Sequence, residues 1–233
     1  MAGTVRTASP GTAVAVRVLD PRELKAATVL LARAFAEEPG TVALLPDPDL
    51  RRVVGESSAR NALRSTFRYG NVHGAMVGDD LAAIALWHPP GVASASLGDA
   101  ARNAAAQLAE APTWVRAFPH AASVVLRNAP AGLAMGRARA AAVARASRGP
   151  TWHLAFLGTA PEHRGRGLAR AVLDRQLARC DEDGAPVWLE TTDPVNPPIY
   201  ERFGFETVRH IEDAAWLPGF WVMRREPRAR QPR

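Results

Sequence analysis

Residues Trp152 to Ala169, WHLAFLGTAPEHRGRGLA, constrain this chain more than any other stretch: an apolar strand-like run enters a glycine-rich turn that opens a helix. Gly165 and Gly167 can adopt backbone angles closed to residues with a Cβ, so consecutive N–H groups can converge on one anion at the positive end of the helix dipole. The turn reads as a phosphate cradle. Arg164, Arg166 and Arg170 add positive charge on and just after it, which suits a pyrophosphate. A Walker-type loop is excluded, because it needs GxxxxGK followed by Ser or Thr and the only lysine is Lys25. The dinucleotide fingerprint GxGxxG fails as well, since Arg170 stands where a third small residue belongs. What remains is RxxGxA, spelled by Arg164, Gly167 and Ala169.

A second block, VWLETTDPVNPPIYERFGFE from Val187 to Glu206, reads as a strand, a short helix carrying Asn196 and Tyr200, and a turn. Between the blocks, Leu168, Ala171, Val172, Arg175 and Leu177 fall at three- and four-residue spacing, giving an amphipathic helix over 168–183 that Gly184 and Pro186 end. In order and pattern the two blocks resemble the GNAT superfamily of acyl-CoA N-acyltransferases, whose pyrophosphate loop reads Gln or Arg, two residues, Gly, one residue, Gly or Ala. Within it, Leu31 to Arg52 (LARAFAEEPGTVALLPDPDLRR) and the tail GFWVMRREP are similar to the first helix, substrate loop and last strand of the puromycin N-acetyltransferase-like group. The stretch from Gly91 to Gly149 carries no such motif.

The resemblance implies an α/β fold of the GNAT-like acyl-CoA N-acyltransferase type: a mixed, mostly antiparallel central sheet flanked by helices, here with a helical insert. At 233 residues and 47% hydrophobic content, one core is expected. The reading is a flexible N-terminus over 1–12, a single domain over 13–226 with the insert at about 93–149, and a basic tail over 227–233. Along the chain we expect a strand at 13–18, a helix from Pro21 to about Ala36 stopped by Pro39, a helix at 50–69, and a hairpin of 72–77 and 81–87. After the insert come a strand at 152–159, the helix after the loop, a strand at 187–192, a helix at 197–203, and strands near 207–211 and 220–225.

Net charge is +6, but the 28 arginines are scattered, without a dense stripe or interleaved aromatics, so no nucleic-acid partner is expected. No apolar run approaches the roughly 20 residues of a membrane span, and the first residues lack a signal core; no membrane association and a cytoplasmic location are expected. The single cysteine, Cys180, reads as packing. The six histidines are dispersed without metal-ligand spacing, so no metal is expected. The six tryptophans read as core or substrate-wall aromatics.

Acetyl transfer to an amine needs a positioned thioester, a neutral amine, donors for the carbonyl oxygen and a proton for the leaving sulfur. The resemblance assigns acetyl-CoA as co-substrate. It assigns cofactor binding to Phe156, Leu157, Gly158 and Thr159 on a strand that splays from its neighbour, with Gly158 easing a bulge. The same role falls to Arg164, Gly165, Arg166, Gly167, Leu168 and Ala169 in the loop, and to Asn196, which N-capping alone would explain equally well. Tyr200 is the candidate general acid, with an ordinary phenol pKa near 10, a tyrosine capping the core being the alternative, and Glu190 is a candidate base. Glu37, Glu38 and Asp47 are considered for binding a cationic substrate and His153 for the active face, although a solvated or structural role is the stronger reading for each.

The function expected is N-acetylation of a primary amine of a small molecule, an antibiotic or aminonucleoside among the candidates, by a monomer or homodimer. The alternatives are a protein or peptide N-acetyltransferase and a catalytically silent acyl-CoA-binding regulator.

Overall fold

The computed structural model describes residues 14–92, 118, 140–212 and 219–228. The expectations for the N-terminal segment, most of the insert and most of the basic tail lie outside these residues, as do Trp114 and Trp216.

Strand β1 (Val14–Val18) leads through a 3-10 turn (Pro21–Glu23) into α1 (Leu24–Phe35). The junction is a capping box: Asp20 accepts from Arg22 N at 2.8 Å, and Glu23 Oε2 accepts from Asp20 N at 2.9 Å. Both Glu23 oxygens also take Arg17 at 2.7 Å, so the cap ties β1 to the helix. Pro39 ends the first helix as expected, yet it also opens a second, α2 (Pro39–Leu44), which the sequence reading did not foresee. The reason is local. Proline is preorganised for the first helical position, and Glu38 caps it by accepting from Thr41 N at 2.7 Å. Helix α3 (Pro48–Phe67) follows the same recipe, Asp47 Oδ1 accepting from Asp49 N and Leu50 N at 2.9 Å.

The chain continues through the hairpin β2 (Val72–Val77) and β3 (Asp80–His88), a helix α4 over 140–146, and β4 (Trp152–Thr159). Next come α5 (Leu168–Glu182), β5 (Val187–Thr191), α6 (Pro197–Glu201), β6 (Glu206–Ile211) and β7 (Phe220–Arg225). The strands form one sheet in the order β1-β2-β3-β4-β5-β7-β6, antiparallel at every seam except β4–β5.

The period-two alternation of strands decides which layer each side chain joins. Ala83, Ala85 and Trp87 of β3 face α5, where they pack with Leu168, Val172, Leu173 and Leu177. Ile84 and Leu86 face the other way, against Ala27, Leu30 and Leu31 of α1 and Leu63 of α3. A third cluster joins Ala142, Val143 and Ala146 of α4 to Trp188, Phe220 and Val222. Burying a side chain such as Leu63 or Leu173, both fully covered, contributes about 1.5–3 kcal/mol.

Arg225, 2% exposed, pins β7 to α5 through two 2.7 Å bonds to Asp181, and its Nε donates to Phe203 O at 2.9 Å. Burial works to raise the Asp181 carboxyl, but the Arg225 bonds and the Arg228 N–H together hold it below the ordinary range. Cys180 is buried in α5, and that burial pushes its thiol up to about 11, as suits a packing residue.

The seams on either side of β4 position the site. Against β3, β4 pairs along its length, with a register shift that makes Ala155 the extra residue between Phe156, opposite Leu86, and Leu154, opposite Trp87. The expected bulge thus falls at Ala155 rather than Gly158, which pairs regularly with Ile84. The missing side chain of Gly158 serves α1 instead, since a Cβ there would sit 2.9 Å from the Ala34 Cβ. Against β5, pairing stops after Trp152–Val187, His153–Trp188 and Leu154–Leu189. Beyond Leu154 the two parallel strands separate.

Candidate active site

The separation of β4 and β5 opens into a cavity of about 570 Å³. Its walls are β4 from Leu154 to Thr159, the end of α1, Arg164 of the loop, Ala169 in the first turn of α5, residues between Glu190 and Tyr200, and Phe220. Phe156, Leu157, Gly158, Thr159, Arg164, Ala169, Glu190, Asn196 and Tyr200 line it, whereas Gly165, Arg166, Gly167 and Leu168 are not on its walls.

The loop has the backbone its glycines were expected to provide. Gly165 and Gly167 both sit at φ +75°, in the left-handed region, and a Cβ on either would meet nothing within 4 Å. Gly167 is the N-cap of α5 and gives its first turn no side-chain acceptor, in contrast to the carboxylate caps of α2 and α3. The first N–H groups of a helix have no intrahelical partner, so this end can accept an anion. Arg164 anchors the loop by donating to Ala34 O at 3.0 Å, Arg166 lies 2.9 Å from His163 Nδ1, and Arg170 pairs with Asp174 at 3.3 Å. Leu168 is 2% exposed and belongs to the α5 core. Its side chain holds the helix to the sheet.

Tyr200 comes from α6, begun by Pro197 and held by Asn196 O, which accepts from Ile199 N at 2.9 Å and Tyr200 N at 3.0 Å. The Asn196 side chain does not cap the helix; its Nδ2 donates to Thr191 Oγ1 at 2.9 Å, tying α6 to the end of β5. Tyr200 is buried to 8% exposure and meets Phe205 edge to face at 5.8 Å. Burial first, and the negative charge of Asp193 second, raise its phenol well above the ordinary value assumed from sequence. The phenol is therefore a proton donor throughout the neutral range and a weaker acid than a free one.

Glu190 alternates with Leu189, whose side chain joins the α5 core, so its carboxylate lies on the α1 side of the sheet. Glu38 lines the cavity but works structurally: it caps α2 and accepts from Thr41 Oγ1 at 3.0 Å and from Thr192 Oγ1. Glu37 lines the cavity and reaches Arg51 at 3.5 Å. Asp47 caps α3 outside the lining, and His153 is buried, stacked on Trp188 at 3.8 Å. Trp87, Trp152 and Trp188 are buried core residues.

The sequence reading missed Thr191, Thr192 and Asp193, which form the far wall. The run Thr-Thr-Asp-Pro was the available signal, since Asp193 Oδ1 accepts from Val195 N at 3.1 Å in a turn that short polar side chains favour. Among the described residues, no group of His, Cys, Asp and Glu could hold a metal, and no helix is long and apolar enough to cross a membrane.

This architecture is the GNAT acetyltransferase fold, and residues 137–208 match the sequence profile of the acetyltransferase (GNAT) domain. An uncharacterized N-acetyltransferase of Schizosaccharomyces pombe is 32% identical over 80 residues, a match spanning 33% of this chain and 32% of that protein. Among solved structures, a Corynebacterium glutamicum protein described as histone acetyltransferase HPA2 and related acetyltransferase superposes with a TM-score of 0.56 at 18% identity, over 93% of this chain and 97% of its own. The polyamine N-acetyltransferase of Drosophila melanogaster, which forms N-acetylagmatine, gives 0.56 at 20% identity over 91% and 97%. At these identities the likeness is one of fold.

Proposed function

We propose that this chain is an acetyl-CoA-dependent N-acetyltransferase that acts on a primary amine of a small molecule by direct attack within a ternary complex. The observation that carries the reading is the early end of the β4–β5 ladder, which opens a cavity whose walls hold Arg164, Glu190 and Tyr200.

The residues present fit the acyl donor. The left-handed glycines with open space before them, the uncapped start of α5 and Arg164 suit a pyrophosphate. The edge of β4 from Ala155 to Thr159, no longer laddered to β5, has backbone N–H and C=O groups to offer an amide-bearing arm. Acetyl-CoA supplies an acetyl group activated as a thioester. The chain's own contributions follow from position. Backbone N–H groups at the Ala155 bulge act as fixed donors for a carbonyl oxygen as it gains charge. Glu190 accepts the ammonium proton, directly or through water, and Tyr200 holds a proton on its phenol oxygen for the departing sulfur.

Within this reading the acceptor belongs to the class handled by the puromycin N-acetyltransferase-like group, an antibiotic or aminonucleoside. Support comes from the segment Leu31 to Arg52, which contributes Ala34, Phe35, Glu37 and Glu38 to the cavity. The test is release of CoA thiol from acetyl-CoA across aminonucleosides, aminoglycosides, polyamines, amino acids and short peptides. Release with one class of small amine is expected. Release with peptides alone moves the acceptor to protein, and CoA binding without release to any of them points to a regulatory acyl-CoA module.

A further inference from the structure

A second cavity, of about 200 Å³, adjoins the first between α1, α2 and α3. Phe35 and Phe156 line both cavities, and their rings meet edge to face with centroids 5.6 Å apart. The rest of the lining is mostly apolar, with Leu31, Leu44 and Val54 on its walls. Among the described residues Arg51 is its one charged lining residue, and the guanidinium is spent elsewhere: Nη1 donates to Leu45 O at 2.7 Å and Pro46 O at 3.1 Å, and Nη2 reaches Glu37 at 3.5 Å. A cavity of this character takes an apolar group. An engineered apolar cavity of about 150 Å³ accepts benzene, so this one is large enough for an aryl ring or a short alkyl chain.

Placement decides which substrate carries that group. The loop of Gly165 and Gly167 starts α5, and Tyr200 packs in the α5 core, on one side of the sheet. The second cavity lies on the opposite side, with α1 and α3. The α1–α2 turn serves both cavities: Glu37 and Glu38 stand on the wall of the first, and Ala36 and Thr41 on the wall of the second. Glu38 is occupied by its helix cap and by Thr192, whereas the Glu37 side chain is mostly exposed, so a cationic amine drawn to Glu37 brings its substituent to the Phe35–Phe156 wall. We propose that the second cavity is a specificity pocket for an aryl or short alkyl group carried by the acceptor amine, with Phe35 and Phe156 as the wall the group passes. This rests on the transferase reading above.

Gly55 gives a clean test. It lines the pocket from within α3, and a Cβ there would find nothing within 4 Å, so Gly55→Leu fills the space with a better helix former than glycine. The readout is the ratio of kcat/KM for 2-phenylethylamine to that for propylamine, with acetyl-CoA and the full chain. We expect the wild type to favour 2-phenylethylamine at least tenfold and Gly55→Leu to bring the ratio near one. An equal ratio in both proteins overturns the proposal. So does a variant that changes the preference for hexanoyl-CoA over acetyl-CoA and leaves the amine ratio alone, since the pocket would then belong to the acyl donor. Calorimetry with 2-phenylethylamine separates this proposal from the catalytic one. If no amine releases CoA thiol, the transferase reading fails; the pocket then stands if the wild type binds that amine at least tenfold more tightly than Gly55→Leu, and falls otherwise.

Discussion

Strand β4 has two edges that differ in kind. Along β3 it is paired nearly end to end through the Ala155 bulge, whereas along β5 it is paired only as far as Leu154. The same strand is paired scaffold on one edge and open to the cavity on the other. Its neighbours set the difference: β3 has nine residues and continues past the bulge, while β5 has five and leaves through Thr192 and Asp193 toward α6. A parallel seam that stops early leaves backbone groups that water or a ligand must satisfy, and a rigid opposite seam keeps them in place.

If that division is right, substitutions at the open seam should change activity and leave stability alone, and those at the closed seam should do the reverse. The largest effect is expected from Tyr200→Phe. Removing the phenol oxygen should lower turnover by about 100- to 10,000-fold, with CoA affinity and thermal unfolding little changed. Steady-state kinetics beside calorimetry would check both halves, and a variant with normal turnover would remove Tyr200 from the mechanism. Leu86→Ala, at a fully buried position of the closed seam, should cost about 2–5 kcal/mol in denaturant unfolding while the folded fraction keeps its kinetics.

Gly167→Asp sharpens the contrast at the loop. It places a carboxylate at a helix start that the cofactor's pyrophosphate would occupy, at φ +75°, so CoA affinity should fall about tenfold or more, roughly 1.4 kcal/mol. Unchanged affinity by calorimetry would sink the loop assignment.

A pH-dependent loss of stability is expected from His73 on β2, deep in the scaffold. Burial first, then the positive charges of Arg175 and Arg179, lower its pKa from 6.5 to about 4. It is neutral in the fold, while the unfolded chain takes up a proton below about 6.5. Stability from this group is therefore lost as pH falls from about 6.5 toward 4. Glu23, lowered chiefly by its Arg17 bonds, extends the loss at more acid pH. Unfolding measured over this range should show the decline, with a shallower slope between pH 6.5 and 4 in His73→Gln.

Much of the fold was legible because its signals are local. The span of β4 matches its apolar run from Trp152 to Thr159, the ends of α5 follow Gly167 and Gly184, and the β2–β3 hairpin follows its Gly-Asp turn. Helix α2 was missed because Pro39 both ends one helix and opens another, and only the Glu38 cap decides for the second. Of the cavity's lining residues, Arg164 and Tyr200 belong to the two sequence motifs. The role of Thr192 was not legible there, because its partner is Glu38, distant in sequence and brought close by the sheet.

The sequence by itself determined the local chemistry: a left-handed glycine loop at a helix start, a tyrosine on a proline-opened helix, and alternating strands that sort side chains between two layers. Tertiary structure alone decided where β4 parts from β5, that the bulge falls at Ala155, that burial makes the Tyr200 phenol a weaker acid than a free one, and that a second apolar cavity shares the Phe35–Phe156 wall. Backbone angles and periodicity depend on near neighbours. Seam length, burial and cavity shape depend on contacts between elements tens of residues apart.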